Sequence, residues 1–220
     1  TGALLVGDSL RGSLRARAER QLGGVDSVAF LPRPVRAGLA DGLPGEVAPV
    51  LLLPGSLQAA GDPVTAPYLG RVTVMGVDER AAPKGVSGVN WKEDRRRNAR
   101  KGEYPPAVLS ARVAERLGVK TGDRVRLGVE SVTGLPRTSA FSERNVEDVT
   151  RTEELEVASV LPADAPENDF NLTPNPAAPL NVWVPIPTLS RFATGDAEPV
   201  ATALLARGAP AGELTDSVQS

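Results

Sequence analysis

The stretch from Ala107 to Val129, AVLSARVAERLGVKTGDRVRLGV, constrains this chain more than any other. Apolar Ala107–Leu109 predicts a short strand, and Ser110 is the expected N-cap of the helix that follows, because a serine hydroxyl can accept an orphaned helix N–H. Val113, Ala114 and Leu117 give that helix one apolar side. Gly118 ends it where a left-handed backbone carries no steric cost. Val119–Asp123 is a polar turn around one apolar peg, with Asp123 expected to accept local backbone N–H groups. Val125, Leu127 and Val129 then alternate with Arg124, Arg126 and Gly128, the period of a half-buried strand. A strand, helix and strand packed into so few residues form a structural unit with no chemistry of its own.

Punctuation sets the style of the rest. With 22 glycines and 20 prolines, the chain favours short strands and loops over long helices. Aromatic residues are only 4%, so the core must rest on Leu, Val and Ala. A length of 220 residues allows one large domain or two small ones. The formal net charge of −2 weighs against a nucleic-acid-binding domain, whose footprint is basic. Cysteine and histidine are both absent. That removes disulfides, thiolate chemistry, the commonest neutral-pH base and the commonest metal ligand. No run of 18 or more apolar residues is present to span a bilayer. The opening TGALLVG lacks the basic n-region of an intact signal peptide, and is compatible with an apolar segment preceding Thr1.

In chain order, Leu10, Leu14, Ala18 and Leu22 recur every four residues against Arg11, Arg15, Arg17, Glu19 and Arg20, which predicts an amphipathic helix ending at Gly23-Gly24. Strands are expected at Val25–Leu31, stopped by Pro32, and at Val47–Leu53, where Pro49 predicts a bulge or late start. Another is expected at Leu69–Val77. Val35–Leu43 suits one or two helical turns, and Gly55–Pro67 reads as loop. Asp78–Pro106 holds Trp91 and a basic run, Arg95-Arg96-Arg97 then Arg100-Lys101, diluted by Glu93, Asp94 and Glu103. It reads as a charged surface insertion or linker. Ser131–Arg151 is a long polar connection. Leu155–Leu161 is a strand partner for Arg124–Val129, and Ala163–Pro179 an irregular loop. Asn181–Ile186 is a strand, followed by a Thr188–Phe192 helix with Pro187 in its first turn. Pro199–Ala206 suits a last strand or a short helix.

Gly7-Asp8-Ser9-Leu10 resembles the nucleophile block of GDSL hydrolases, with Ser9 as nucleophile. A serine hydroxyl needs a general base, which those enzymes draw from histidine, and this chain has none. Asp62, Asp78, Asp94, Asp123, Asp164 and Asp169 show no spacing for acid–base work or cation binding. There is no dinucleotide fingerprint or phosphate loop. No catalytic, cofactor-binding or metal residue is expected.

Several stretches together resemble the extracytoplasmic domain of FtsX/MacB-like ABC-transporter permeases. Thr1–Gly7 resembles the end of a membrane helix and GDSLRGSLRARAERQLG the stalk after it. VLSARVAERLGVKTGDRVRL resembles the family's central segment, where Asn is usual at the place of Ser110. ELEVASVLP, the stretch Pro174–Asn181 and PLNVWVPIPTLSR complete the likeness. Gly-Asp turns like Gly122-Asp123 also occur in double-psi barrels, so order and spacing carry the resemblance.

The resemblance implies a mixed α/β (α+β) fold of two lobes, a small α/β layer with an inserted β-rich lobe, preceded by an amphipathic stalk helix. Residues 1–24 would be membrane-helix end and stalk, 25–77 with 199–207 the first lobe, 78–106 the charged insertion, 107–192 the second lobe and 208–220 a tail. It implies a non-catalytic domain outside the cell membrane, without cofactor. Its partners would be its own permease's transmembrane helices, an ABC ATPase subunit, a second permease and a periplasmic protein, with no nucleic acid. Trp91, Phe141, Phe170 and Leu172 are the candidate partner contacts, though a residue of each kind is more often a local packing anchor. A free-standing periplasmic or cell-surface binding domain is the alternative.

Overall fold

The computed structural model describes residues 25–94, 101–130, 150–172, 178–195 and 198–207. The predicted helix at Leu10–Leu22, Phe141 and the tail from Gly208 lie outside them.

Strand β2, Glu46–Ala59, is the axis of the fold. On one edge it pairs antiparallel with β3, Tyr68–Val77. On the other edge its first half pairs with β8, Val200–Arg207, and its second half with β5, Arg124–Glu130. From β3 the sheet continues through β7, Asn181–Pro185, to β4, Pro106–Leu109, then β6, Thr150–Val160, and back to β5. The pairing of β5 with β2 closes a ring of six strands, while β8 and then β1, Ser27–Arg36, extend from the first half of β2 as a side layer. The pairs β3–β7 and β4–β6 are parallel, and the rest are antiparallel.

Closure explains the apolar runs. Alternate residues of one strand serve two cores, because both faces of the sheet are covered. Leu51, Leu53, Val72, Val74, Leu109, Val182 and Val184 belong to the core inside the ring. Val50, Met75, Val77, Val108 and Trp183 belong to a second core on the outer face. Helix α1, Ala111–Leu117, adds Val113 and Leu117 to the inner core, and α2, Ile186–Thr194, adds Leu189 and Phe192. The outer core is covered by the segment after β3 and by the loop from Leu161 to Leu172.

Prolines are tolerated where a ladder is interrupted. The Leu52 N–H donates to Thr202 Oγ1 on the β8 side, so by strand alternation Pro49 faces β3, whose pairing begins only at Val50. Pro54 faces the gap where β8 has ended and β5 begins. No bulge forms at Pro49, contrary to the sequence expectation, because its missing N–H removes no ladder bond. β2 accordingly runs to Ala59 through residues read as loop. Similarly, β1 passes Pro32 and Pro34 by looping out between Phe30 and Val35 before re-pairing with β8. Val35–Leu43 supplies a short 3-10 turn at Ala37–Gly42, and Pro199–Ala206 resolves as strand β8.

The pairings β3–β7 and β2–β5 join strands assigned from sequence to different lobes. The described residues form a mixed α/β fold with a barrel-like core and small helical elements.

Candidate functional site

Leu161–Leu172, the first part of the connection from β6 to β7, crosses the outer face of the ring as a strap, and buried side chains fix it. Asn168 is 3% exposed. Its Oδ1 accepts the Ala111 N–H at 2.9 Å, while Nδ2 donates to the carbonyls of Pro162 at 2.6 Å and Ala163 at 3.3 Å. Asn168 therefore caps α1 from across the chain. Ser110, the cap expected from sequence, makes no capping bond; its Oγ accepts the Asn181 N–H at 3.3 Å. Asn181 Nδ2 donates to the Phe170 carbonyl at 2.7 Å. Arg112 Nη1 reaches the Asn168 carbonyl at 3.2 Å and Asp169 Oδ1 at 2.9 Å. The strap is thus held by donors and acceptors on α1 and at the start of β7.

Phe170 lies between two concavities. Behind it a cavity of about 40 Å³ is lined by Met75, Val77 and Trp183, with Lys84 and Glu167 at its rim. In front, a cleft of about 740 Å³ runs between β2, β3 and the strap. Phe170, Leu172, Leu180 and Pro54 make it apolar, and Arg71 and Arg116 are its charged residues. Arg71 sits in a bulge of β3, with φ 60°, where two residues of β3 oppose one of β2. A non-glycine residue in this region is strained by about 1–2 kcal/mol.

A second fixed segment follows β3. Arg80 bonds Asp78 and pairs with Asp41 at 2.9 Å. Burial would lower the Arg80 pKa, but hydrogen bonds and attraction from Asp78 and Asp41 outweigh it, so the pKa is raised. Trp91 is 5% exposed in the outer core. Beyond it Arg191 Nε of α2 contacts both oxygens of Asp94 at 2.8 and 3.1 Å.

Of the residues singled out from sequence, Phe170 and Leu172 come together, half-buried, along the cleft. Trp91 lies in the outer core as packing, and Phe141 is outside the described residues. Sequence reasoning missed Asn168, Arg71 and Arg116. Asn168 carries no local signal, because its partners are distant in the chain. Among the described residues no cluster of acidic side chains is arranged to hold a metal, and no helix is long and apolar enough to cross a membrane.

A family model for the MacB-like periplasmic core domain matches residues 2–220. The chain belongs to that family. This MacB-like core domain is thereby a non-catalytic extracytoplasmic domain of an ABC-transporter permease, as the resemblance implied. The family assignment, not any missing group, sets aside the hydrolase reading of Gly7–Leu10.

Two solved structures are similar at low identity. The extracellular domain of the noncanonic ABC-type transporter YknZ from Gram-positive bacteria has 12% identity and a TM-score of 0.39, with 86% of each chain covered. The periplasmic region of MacB from Actinobacillus actinomycetemcomitans has 11% identity and a TM-score of 0.45, covering 89% of this chain and 82% of that one. No curated protein matches the chain.

Proposed function

We propose that this MacB-like core domain is the outer lever and docking module of its permease. ATP-driven movement of the membrane helices would be passed to a protein or substrate outside the membrane. The observation that carries the reading is where the described chain enters and leaves the fold. Ser27 pairs with Ala206, and the Asp26 N–H donates to the Ala206 carbonyl at 3.0 Å. The two ends of the core therefore emerge side by side, the geometry needed by a domain carried between two neighbouring membrane segments. A displacement at that point reaches the ring through β8 and β2 without crossing a flexible joint.

In this reading residues 1–24 are the end of a membrane helix and an amphipathic stalk. Residues 25–77 with 199–207 form the part nearer the membrane, and 107–192 the outer part that bears the strap, the two sharing the six-strand ring. Residues 78–106 are the charged insertion between them, and 208–220 the tail. The partners are the permease's own transmembrane helices, an ABC ATPase subunit, a second permease and an extracytoplasmic protein that meets Phe170 and Leu172. Phe141 belongs to the same proposed contact set, whereas Trp91 contributes by packing.

A photo-crosslinking residue at Leu172 of the full-length permease tests this. Cross-links to an extracytoplasmic protein that change when ATP hydrolysis is blocked are the expected result. Identical cross-links in both states would overturn the lever.

A further inference from the structure

Taking the docking reading as its basis, we propose that the cleft between β3 and the strap takes an extended segment of a partner protein in which acidic and apolar side chains alternate. Three features of the cleft select that chemistry.

The first is charge. Arg36, Arg80, Arg112, Arg126, Arg191 and Arg207 are each paired with a carboxylate. Arg71 and Arg116, which enter the cleft from β3 and α1, have no acidic partner among the described residues. No described residue lining the cleft is acidic. Two guanidinium groups in a wall whose other polar side chains, Thr73 and Asn171, are uncharged favour carboxylates and repel basic segments. The charge comes from arginine in both places, which suits planar, bidentate recognition of carboxylate.

The second is backbone. β3 pairs with β2 along its length, but its pairing with β7 begins only at Thr73. Among the described residues, the stretch Tyr68–Val72 is thus open on the β7 side. An open strand edge beside a cleft is suited to receive an extended chain, which gains main-chain hydrogen bonds there and presents alternate side chains to the wall. The bulge at Arg71, with φ 60°, bends β3 within that open stretch, where β2 begins to pair with β5.

The third is the apolar floor. Phe170 and Leu172 are held half-exposed by the bonds of Asn168 and Asn181. A strap positioned in advance loses less side-chain freedom on binding.

Fluorescence anisotropy on the 220-residue chain tests the proposal, using short labelled peptides of alternating Glu and Leu, of alternating Lys and Leu, and of alternating Glu and Ser. The Glu-Leu peptide should bind at least about tenfold more tightly than either other peptide, and less tightly as salt is raised. Arg71→Gly combined with Arg116→Gln should abolish that preference. Because glycine accepts the backbone at position 71 without strain, the double variant should melt no lower than the parent. Equal binding of the three peptides, or a preference unchanged in the double variant, overturns the proposal. So does binding to phosphatidylglycerol vesicles without binding to the Glu-Leu peptide, which would assign the cations to a lipid surface. Failure here with the Leu172 cross-links intact removes the cleft's chemistry and leaves the lever standing. Loss of the cross-links with the peptide preference intact does the reverse.

Discussion

Replacing Asn168 with alanine should destabilise the domain more than the same replacement at Ser110. The amide is almost fully buried and satisfies three backbone groups. Alanine leaves the Ala111 N–H without its cap and the Pro162 carbonyl without its side-chain donor, both bonds being part-buried. Each of these two part-buried groups so orphaned costs about 1–2 kcal/mol, the lower part of the range for an unsatisfied group, and the 3.3 Å bond to Ala163 adds little. The expected loss is therefore about 2–4 kcal/mol. Ser110→Ala removes only the acceptor of a 3.3 Å bond from Asn181, for about 1 kcal/mol. Urea denaturation followed by far-UV circular dichroism measures both. With an m-value of about 2 kcal/mol/M, Asn168→Ala should lower the midpoint by about 1–2 M and Ser110→Ala by about 0.5 M. A larger loss for Ser110→Ala than for Asn168→Ala would refute the assignment of the cap.

Further tests concern closure, covering and titration. At Gly55 an added Cβ would lie 2.8 Å from the Gly128 carbonyl oxygen and 2.8 Å from Val74 Cγ2, so Gly55→Ala should force β2 from β5 and cost about 1–3 kcal/mol. Faster hydrogen exchange in β5 than in β8 would locate the damage at the ring seam, and equal exchange in the two would contradict it. At Gly76 a Cβ would meet Leu189 at 3.0 Å and Leu51 at 3.2 Å; Gly76→Ala should lower the thermal midpoint by loosening α2, visible as earlier loss of its amide protection. Asp94→Ala removes the carboxylate held by Arg191 and should cost about 1.5–3 kcal/mol, together with increased solvent quenching of Trp91 fluorescence. Stability should be nearly flat from about pH 6 to 8, since histidine is absent. Arg80 fits this: with its folded-state pKa raised, its contribution is complete below the ordinary arginine range and is lost only at higher pH. A marked slope near neutrality in urea titrations would contradict it.

What could be read from sequence is what short-range chemistry decides. Gly118 ends α1 with φ 66°, and Asp123 Oδ2 accepts the Lys120 N–H at 2.8 Å, because both depend on residues a few positions away. Leu155–Leu161 lies in or beside β6, but only Leu155 and Glu156 of it pair with β5, whose ladder runs on to Thr150 in residues read as polar, while Val157–Val160 pair with β4. Pro187 occupies the first turn of α2. What sequence concealed is what distant residues decide. The cap of α1 comes from Asn168, far along the chain, and a local rule chose Ser110. The length of β2 was underestimated because Pro49 and Pro54 are harmful only where a neighbour strand needs their N–H, and that depends on where β3, β5 and β8 begin and end. The same long-range pairing hid the ring: nothing in Gly55–Ala59 or Val125–Val129 alone says that they meet. Phe170 and Leu172 were legible as apolar residues in a polar loop, but the arginines beside them were not, since Arg71 and Arg116 become neighbours only through the fold.

The most direct test of the central claim is thiol accessibility in intact cells. These 220 residues have no cysteine, and Val64 is 90% exposed, so in the full-length protein Val64→Cys adds one reactive thiol on this domain's surface, with the full-length parent labelled alongside as the background. A membrane-impermeant maleimide should label it before lysis, in protein recovered with the membrane fraction. Labelling only after lysis, or recovery of the labelled protein free of membranes, would contradict an extracytoplasmic permease domain.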